Sequence, residues 1–197
     1  MSTIGPSKHA RFSRGPVKIP VFLSYPTPCL ERQQDFIDRV CVYLDDRGFA
    51  ARTLGVTDYD MDAPLTAVRR LMLESNGLIS VALARTYIEK GTGNYRTDVQ
   101  KMKEYALDGK FFTSPWAHIE AAMAYQLGLP ILIFRQAGVI ADGLLEKGVA
   151  GTYMPEFDLD MPLDSYFGSG EWAGVMAKWE GYVRAVVESK GNPPRLY

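Results

Sequence analysis

The chain has 197 residues, a formal net charge of −1 and 23% charged residues, which fits one domain and excludes a strongly basic nucleic-acid binder. No run of about eighteen apolar residues is present and no apolar signal segment begins the chain, so we expect a cytoplasmic protein without a membrane span. Cys29 and Cys41 lack the spacing of a metal site, and we predict neither a bound metal nor a disulfide.

Composition divides the chain into three segments. Residues 1–19 mix Lys, His and Arg with Gly and Pro without apolar periodicity, which predicts a flexible N-terminal arm or a contact to a partner or an anionic substrate. We expect one domain over residues 20–192 and a C-terminal tail over residues 193–197.

Short apolar runs alternate with amphipathic helices in the first half of the domain. The elements predicted there are strands at Val21–Tyr25, Phe49–Leu54 and Leu78–Ala84, helices at 30–47 and Pro64–Ser75, and a polar loop at Gly55–Ala63. The helix positions expected to face the core are Ile37, Val40, Cys41 and Leu44 in the first helix and Leu65, Val68 and Met72 in the second. The third strand is apolar at nearly every position, which is typical of a strand buried on both faces.

The second half of the domain is less regular. Residues 86–113 and 136–170 show little periodicity, although Thr97–Leu107 is compatible with a charged surface helix. The remaining predicted elements are a helix at 115–127, a strand at 131–135, a short strand near 149–153 and a helix at Glu171–Ser189. The apolar face predicted for the last helix consists of Trp172, Val175, Met176, Trp179, Val183 and Val186.

The most informative segment begins the helix at 115–127. Ser114 is a helix-capping residue and Pro115 fits the first helical position. Trp116 and Glu120 are four residues apart, so they project from one face of the first turns. A flat ring beside a carboxylate, near a helix N-terminus and the edge of a sheet, suits a nucleotide substrate. His118 is expected to be a surface residue and not a ligand.

Strands that alternate with helices predict a parallel sheet covered on both faces. Ligands of such sheets bind at the carboxyl ends of the strands, near the point where the strand order reverses. Ser24 and Tyr25 end the first predicted strand and Arg85 follows the third, so we expect them at this edge together with Trp116 and Glu120.

The motifs, in this order, resemble those of TIR domains. Phe22-Leu23-Ser24-Tyr25 resembles the opening strand of that family, and Leu78-Ile79-Ser80-Val81 resembles its third strand. Trp116-Ala117-His118-Ile119-Glu120 matches the W-x-x-x-E pattern whose Glu is catalytic in TIR-domain NAD hydrolases and cyclases. The resemblance covers roughly residues 20–135. It departs from the family at Pro26-Thr27-Pro28, where a charged or polar run is usual.

The resemblance implies a flavodoxin-like three-layer α/β/α fold with about five parallel strands. It also implies cleavage of the nicotinamide–ribose bond of NAD, which is a substrate and not a cofactor, to nicotinamide and a cyclic, conjugated or linear ADP-ribose. Similar standalone bacterial proteins of Thoeris-type antiphage defence reach a separate effector protein through a diffusible product. Self-assembly through TIR–TIR contacts is a further expectation, and no nucleic-acid or membrane partner is expected.

The resemblance also assigns roles to the candidate residues. Glu120 is the expected catalytic carboxylate, and Trp116 is expected to stack on the nicotinamide or adenine ring. Ser24 and Tyr25 are expected to line the pocket, and Arg85 to contact a phosphate.

Each candidate has a structural alternative. Glu120 fits a helix-dipole or surface carboxylate, Trp116 a core or rim aromatic, and Arg85 a salt-bridge or solvent residue. Ser24 and Tyr25 fit ordinary strand-end positions. Two other functions remain open, namely a nucleoside 2-deoxyribosyltransferase-like enzyme and a non-catalytic TIR interaction module. The acids of the polar loop fit either a solvated loop or a metal site, and they are Asp58, Asp60 and Asp62.

Overall fold

A computed structural model of the protein describes residues 17–150 and 153–189. Most of the predicted arm and all of the predicted tail therefore lie outside the described residues. The strands are β1 Ile19–Ser24, β2 Phe49–Arg52, β3 Leu78–Ala82, β4 Thr86–Ile88, β5 Thr92–Gly93, β6 Tyr105–Ala106, β7 Lys110–Phe112, β8 Ile131–Gln136 and β9 Glu156–Phe157. The α-helices are α1 Glu31–Asp46, α2 Pro64–Leu73, α3 Pro115–Gln126, α4 Leu163–Phe167 and α5 Gly170–Glu188.

Five parallel strands form the central sheet in the order β2-β1-β3-β8-β9. This is the flavodoxin-like order, and it confirms the predicted fold class. The chain leaves β1 toward β2 on one side and later continues from β3 to β8 on the other side. The strand order therefore reverses at β1, which opens a crevice between the carboxyl ends of β1 and β3.

Two apolar clusters cover the two faces of this sheet. On one face, α1 contributes Phe36 and Val40, and α5 contributes Trp172 and Trp179. On the other face, α2 and α3 pack against β1, β3 and β8. Alternate residues of each strand point to opposite faces, so a strand position determines which pair of helices its side chain meets.

The buried side of α3 consists of small side chains. Ala117, Ala121 and Ala124 are the buried residues of this helix. A helix with alanines on its inner side lies close to the strands beneath it, because no long side chain holds the two apart. This close approach brings the first turns of α3 to the carboxyl end of the sheet.

The predicted helix at Thr97–Leu107 is wrong. The chain between β3 and α3 instead forms two antiparallel strand pairs, β4 with β7 and β5 with β6, which we call the hairpin arm (residues 86–112). Asn94 and Arg96 have φ angles of 54° and 56°, in the left-handed region. A right-handed α-helix cannot continue through residues with this backbone conformation. The segment also has no apolar stripe that a helix would bury.

Three smaller expectations also differ from the structure. The last strand lies at Glu156–Phe157 and not near 149–153, of which residues 151–152 are outside the described part. Leu65 is 52% exposed because it lies at the margin of the stripe that α2 buries through Ala67, Val68, Leu71 and Met72. Cys41 is half-buried at the side of α1 and not fully buried.

The polar loop after β2 is held by ion pairs. Arg52 bonds Asp58 and also reaches Glu74 at 2.6 Å, while Arg70 bonds Asp60 at 2.9 Å. These pairs account for two of the three loop acids, and no metal-binding cluster of acids, His and Cys occurs within residues 17–150 and 153–189. No helix of the described chain has the length and apolar character needed to cross a membrane.

Replacing Arg52 by Ala is expected to lower the free energy of unfolding by about 1–3 kcal/mol near pH 7, between the values for exposed and buried pairs. Arg52 lowers the pKa of Asp58, so the pair stabilises the fold above the unfolded-state pKa of Asp and less as the pH falls. Urea titrations of the wild type and of Arg52→Ala at neutral and acidic pH measure the free energy of unfolding and its dependence on pH. Arg69→Ala, an exposed change on the same helix as Arg70, is the control and should have little effect.

Candidate active site

Two candidate residues from distant parts of the chain meet at the carboxyl edge of the sheet. Ser24 is the last residue of β1 and is only 2% exposed. Its hydroxyl donates a hydrogen bond to Oε2 of Glu120 on α3. The contact lies beside the crevice between β1 and β3, which is where open α/β sheets bind their ligands.

The start of α3 sets the direction of Trp116 and Glu120. Ser114 caps the helix, its hydroxyl oxygen accepting the N–H of Trp116 at 3.3 Å, and Pro115 is the first helical residue. This confirms the predicted helix start. Trp116 lies one turn before Glu120 on the same side of α3 and is 39% exposed.

Burial and a hydrogen bond act on the Glu120 carboxyl group in opposite directions. Burial raises its pKa above the ordinary value, and the hydrogen bond from Ser24 lowers it by a smaller amount. No other charged side chain of the described residues contributes to the shift. Glu120 is therefore a lone carboxylate, partly removed from water and oriented by a hydroxyl.

The structure does not bring Tyr25 to Glu120. Ser24 points toward α3, whereas the next residue packs with the cluster on the opposite face, close to Cys41 of α1. Burial there raises the pKa of the Tyr25 hydroxyl. The sequence placed both residues in one pocket, but the alternation of side chains separates them.

Arg85 lies at the base of the hairpin arm. Its backbone N–H donates to the carbonyl of Phe112 at 3.0 Å, and its side chain is exposed. No hydrogen bond or ion pair joins this side chain to Ser24, to Glu120 or to any other residue of the described chain. The guanidinium is therefore available at the same edge of the sheet without contacting the carboxylate.

Ser80 is a neighbour of this pair that sequence reasoning passed over. It lies opposite Ser24 in the β1–β3 register, with its side chain between those of Leu78 and Ala82 on the face that α3 covers. It is fully buried, and its hydroxyl has no partner among the described residues. The available signal was a single hydroxyl within an otherwise apolar strand.

A buried glutamine links two loops and the end of a strand at the carboxyl edge. Gln33 accepts the N–H of Cys29 at 2.9 Å and donates to the carbonyl of Ala84 at 2.9 Å and to Gln136 at 3.0 Å. Gln136 in turn accepts the N–H of Ala84 at 2.9 Å. These bonds join the segment after β1, the segment after β3 and the last residue of β8. The sequence signal was an amide on the apolar side of the first predicted helix.

Two cavities lie away from the carboxylate. A groove of about 870 Å³ runs between α2 and α3, and a second cavity of about 400 Å³ lies between the hairpin arm and the end of β8. The residues that line them include neither Ser24 nor Glu120.

Comparisons with known proteins found similarity to solved structures at low sequence identity. No protein-family model and no curated protein matches the chain. The chain is similar to the Clostridium botulinum CMP N-glycosidase BcmB, with 15% identity and a TM-score of 0.42 over 71% of this chain and 87% of that one. It is also similar to the TIR domains of the activated Roq1 resistosome that recognises the pathogen effector XopQ. That match has 14% identity and a TM-score of 0.38 over 87% of this chain and 75% of that one. Similarity at these levels does not bear on function.

Replacing Ser24 by Ala is expected to raise the pKa of Glu120, because it removes the hydrogen bond that favours the ionised carboxylate. The pKa is measured by NMR titration of the side-chain carboxyl carbon. The exposed Ser165→Ala change on α4 is the control and should leave it unaltered. A Glu120 pKa that stays the same or falls in Ser24→Ala would contradict the assignment of this contact.

Proposed function

We propose that the protein cleaves the nicotinamide–ribose bond of NAD and uses Glu120 as its one catalytic carboxylate. The observation that carries this proposal is the hydrogen bond from Ser24 to Glu120 beside the crevice between β1 and β3. Residues that end parallel strands at a reversal of strand order commonly form the ligand site of this fold.

The burial of Glu120 argues against a mere surface role. The helix dipole acts mainly on charged groups in the first turn of a helix. Removing a carboxylate from water is costly unless its oxygens are hydrogen-bonded, and here burial raises its pKa while Ser24 satisfies one oxygen. Carboxyl groups whose pKa is shifted by their surroundings occur preferentially at functional sites.

A single carboxylate is sufficient for this reaction. When the C1′–N bond of NAD breaks, its electron pair moves to the pyridinium nitrogen, and nicotinamide leaves as a neutral molecule without receiving a proton. The ribosyl group becomes an oxocarbenium ion, whose charge the ionised Glu120 stabilises while its oxygens accept hydrogen bonds from ribose hydroxyls. Water that captures C1′ loses a proton to solvent, whereas an adenine ring nitrogen captures C1′ with its lone pair and the positive charge passes to the adenine ring.

Other residues complete the proposed site. Trp116 stacks on the nicotinamide or adenine ring, which its exposed indole permits. Ser24 holds the carboxylate, and the free Arg85 guanidinium contacts a phosphate of the dinucleotide. Tyr25 supports the end of β1 from the α1 side, a change from the pocket-lining role expected from sequence.

The product and its use extend the same proposal. An ADP-ribose product that is cyclic or conjugated is a diffusible signal for a separate effector protein in antiphage defence, and TIR–TIR self-assembly is a means of switching the enzyme on. This part rests on the motif resemblance alone. A transferase acting on nucleosides is less well supported, because a neutral base needs an acid as it leaves and Glu120 has no second carboxyl group contributing to its pKa among the described residues.

Replacing Glu120 by Gln is expected to abolish nicotinamide release, because the neutral amide cannot stabilise the oxocarbenium charge. The loss should exceed about 100-fold, as for other electrostatic stabilisers. Chromatography after incubation with NAD, and mass spectrometry of extracts from expressing cells, measure the product; circular dichroism checks the fold. The exposed Glu146→Gln change is the matched control. Unchanged nicotinamide release in folded Glu120→Gln, or base exchange between deoxynucleosides, would refute the proposal.

The pH dependence of kcat/KM is expected to report the pKa of Glu120 in the free enzyme. The carboxylate must be ionised, and burial raises its pKa, so activity should fall on acidification at a pH above the ordinary Glu value of about 4.3. In Ser24→Ala this acid limb should move to still higher pH, because the bond that lowers the pKa is lost. An acid limb below about 4.3, or one that moves down in Ser24→Ala, contradicts the role of Glu120.

A further inference from the structure

The cavity between the hairpin arm and β8, which we call the arm cleft, has the features of a second ligand site. Its volume of about 400 Å³ is within the range of small-molecule pockets. One wall is the arm, with Tyr105 and Lys110, and the other is the end of β8 with the loop that follows it, including Arg135 and residues 138–141. The proposed catalytic pair is not among its lining residues.

Tyr105 provides an aromatic ring on one wall of the arm cleft. Gly93 lies opposite Tyr105 in the β5–β6 pair, directly beneath the phenol ring. A Cβ atom on Gly93 would be 2.1 Å from Cζ of that ring, so only glycine permits this contact. The ring is thus supported on one side by backbone, while the residue remains 54% exposed. A supported, exposed ring is a stacking surface for a planar ligand.

Spare positive charge lies beside this ring. The Lys110 side chain is exposed and has no hydrogen bond or ion pair within residues 17–150 and 153–189. Arg135 is 11% exposed and uses Nη2 for Glu156 and Nη1 for the carbonyl of Val139 at 2.6 Å. Its Nε donor has no partner in the described chain. The charges of Arg135 and Glu156 cancel, so the net charge of the cleft lining is the positive charge of Lys110. The lining also contains the unpaired Nε donor of Arg135.

We propose that the arm cleft binds a nucleoside phosphate, with the base stacked on Tyr105 and the phosphate on Lys110 and Nε of Arg135. A stacking ring next to a free ammonium group and a free guanidinium donor matches a planar base that carries an anion. The site is separate from the proposed catalytic one. The loop that forms its wall continues to Gly143, which lies beside His118 of α3.

The first test is an NMR titration of the isotope-labelled, full-length chain with AMP, with adenosine and ribose 5-phosphate as partial probes. AMP should shift the backbone amides of residues 138–141. Each partial probe should bind at least about tenfold more weakly, because it lacks either the phosphate contact or the stacking contact. AMP shifts that are absent, or confined to residues around Trp116 and Glu120, overturn the proposal.

Variants separate this site from the catalytic one. Lys110→Gln and Tyr105→Ala should each weaken AMP binding by about tenfold or more. Lys178→Gln, an exposed lysine on α5, is the matched control for charge and should leave unchanged the AMP affinity read from the amides of residues 138–141. Equal affinity in Lys110→Gln and the wild type refutes the proposal. Because AMP binding is read without turnover, its outcome does not depend on whether Glu120 cleaves NAD.

Discussion

The hydrogen bond between Ser24 and Glu120 requires that a helix and a strand end, 96 residues apart in sequence, lie within contact distance. The alanines on the inner side of α3 allow this approach, and the serine cap with Pro115 determines where the helix begins. A shift of the helix start by one residue would turn Glu120 away from β1 by about 100°. The burial that makes the carboxylate unusual depends on the same close packing.

The remainder of the carboxyl edge is built to be stiff. Gln33 and Gln136 join the loops after β1 and β3 to the end of β8, and Arg52 and Arg70 hold the loop after β2 through ion pairs. A preorganised edge of this kind holds a carboxylate in one orientation and spares the reorganisation that would otherwise accompany charge development. These contacts take no part in the proposed reaction. They hold the strand ends and loops around Ser24 and Glu120 in place.

The hairpin arm is the main addition to the five-stranded core. It leaves the sheet after β3 and returns before α3, so both of its ends adjoin the proposed active site. Together with the segment after β8 it borders the arm cleft, whose ring and cations lie outside the motifs that resemble those of TIR domains. One edge of the sheet thus carries two chemically different surfaces, a lone carboxylate with an indole and a cationic cleft with a phenol.

The sequence by itself determined the alternation of strands and helices, the cap at Ser114, and the helical spacing of Trp116 and Glu120, because these follow from local periodicity and capping chemistry. It also identified Ser24 and Glu120 as candidates. Only the tertiary structure decided that these two touch and that Tyr25 faces the other helix layer. Alternation along a strand shows which side chains share a face, but not which helices cover that face. The hairpin arm escaped prediction because its strands are two or three residues long and depend on pairing with distant partners. The Gln33 network and the arm cleft depend on the same long-range contacts, which a linear pattern does not contain.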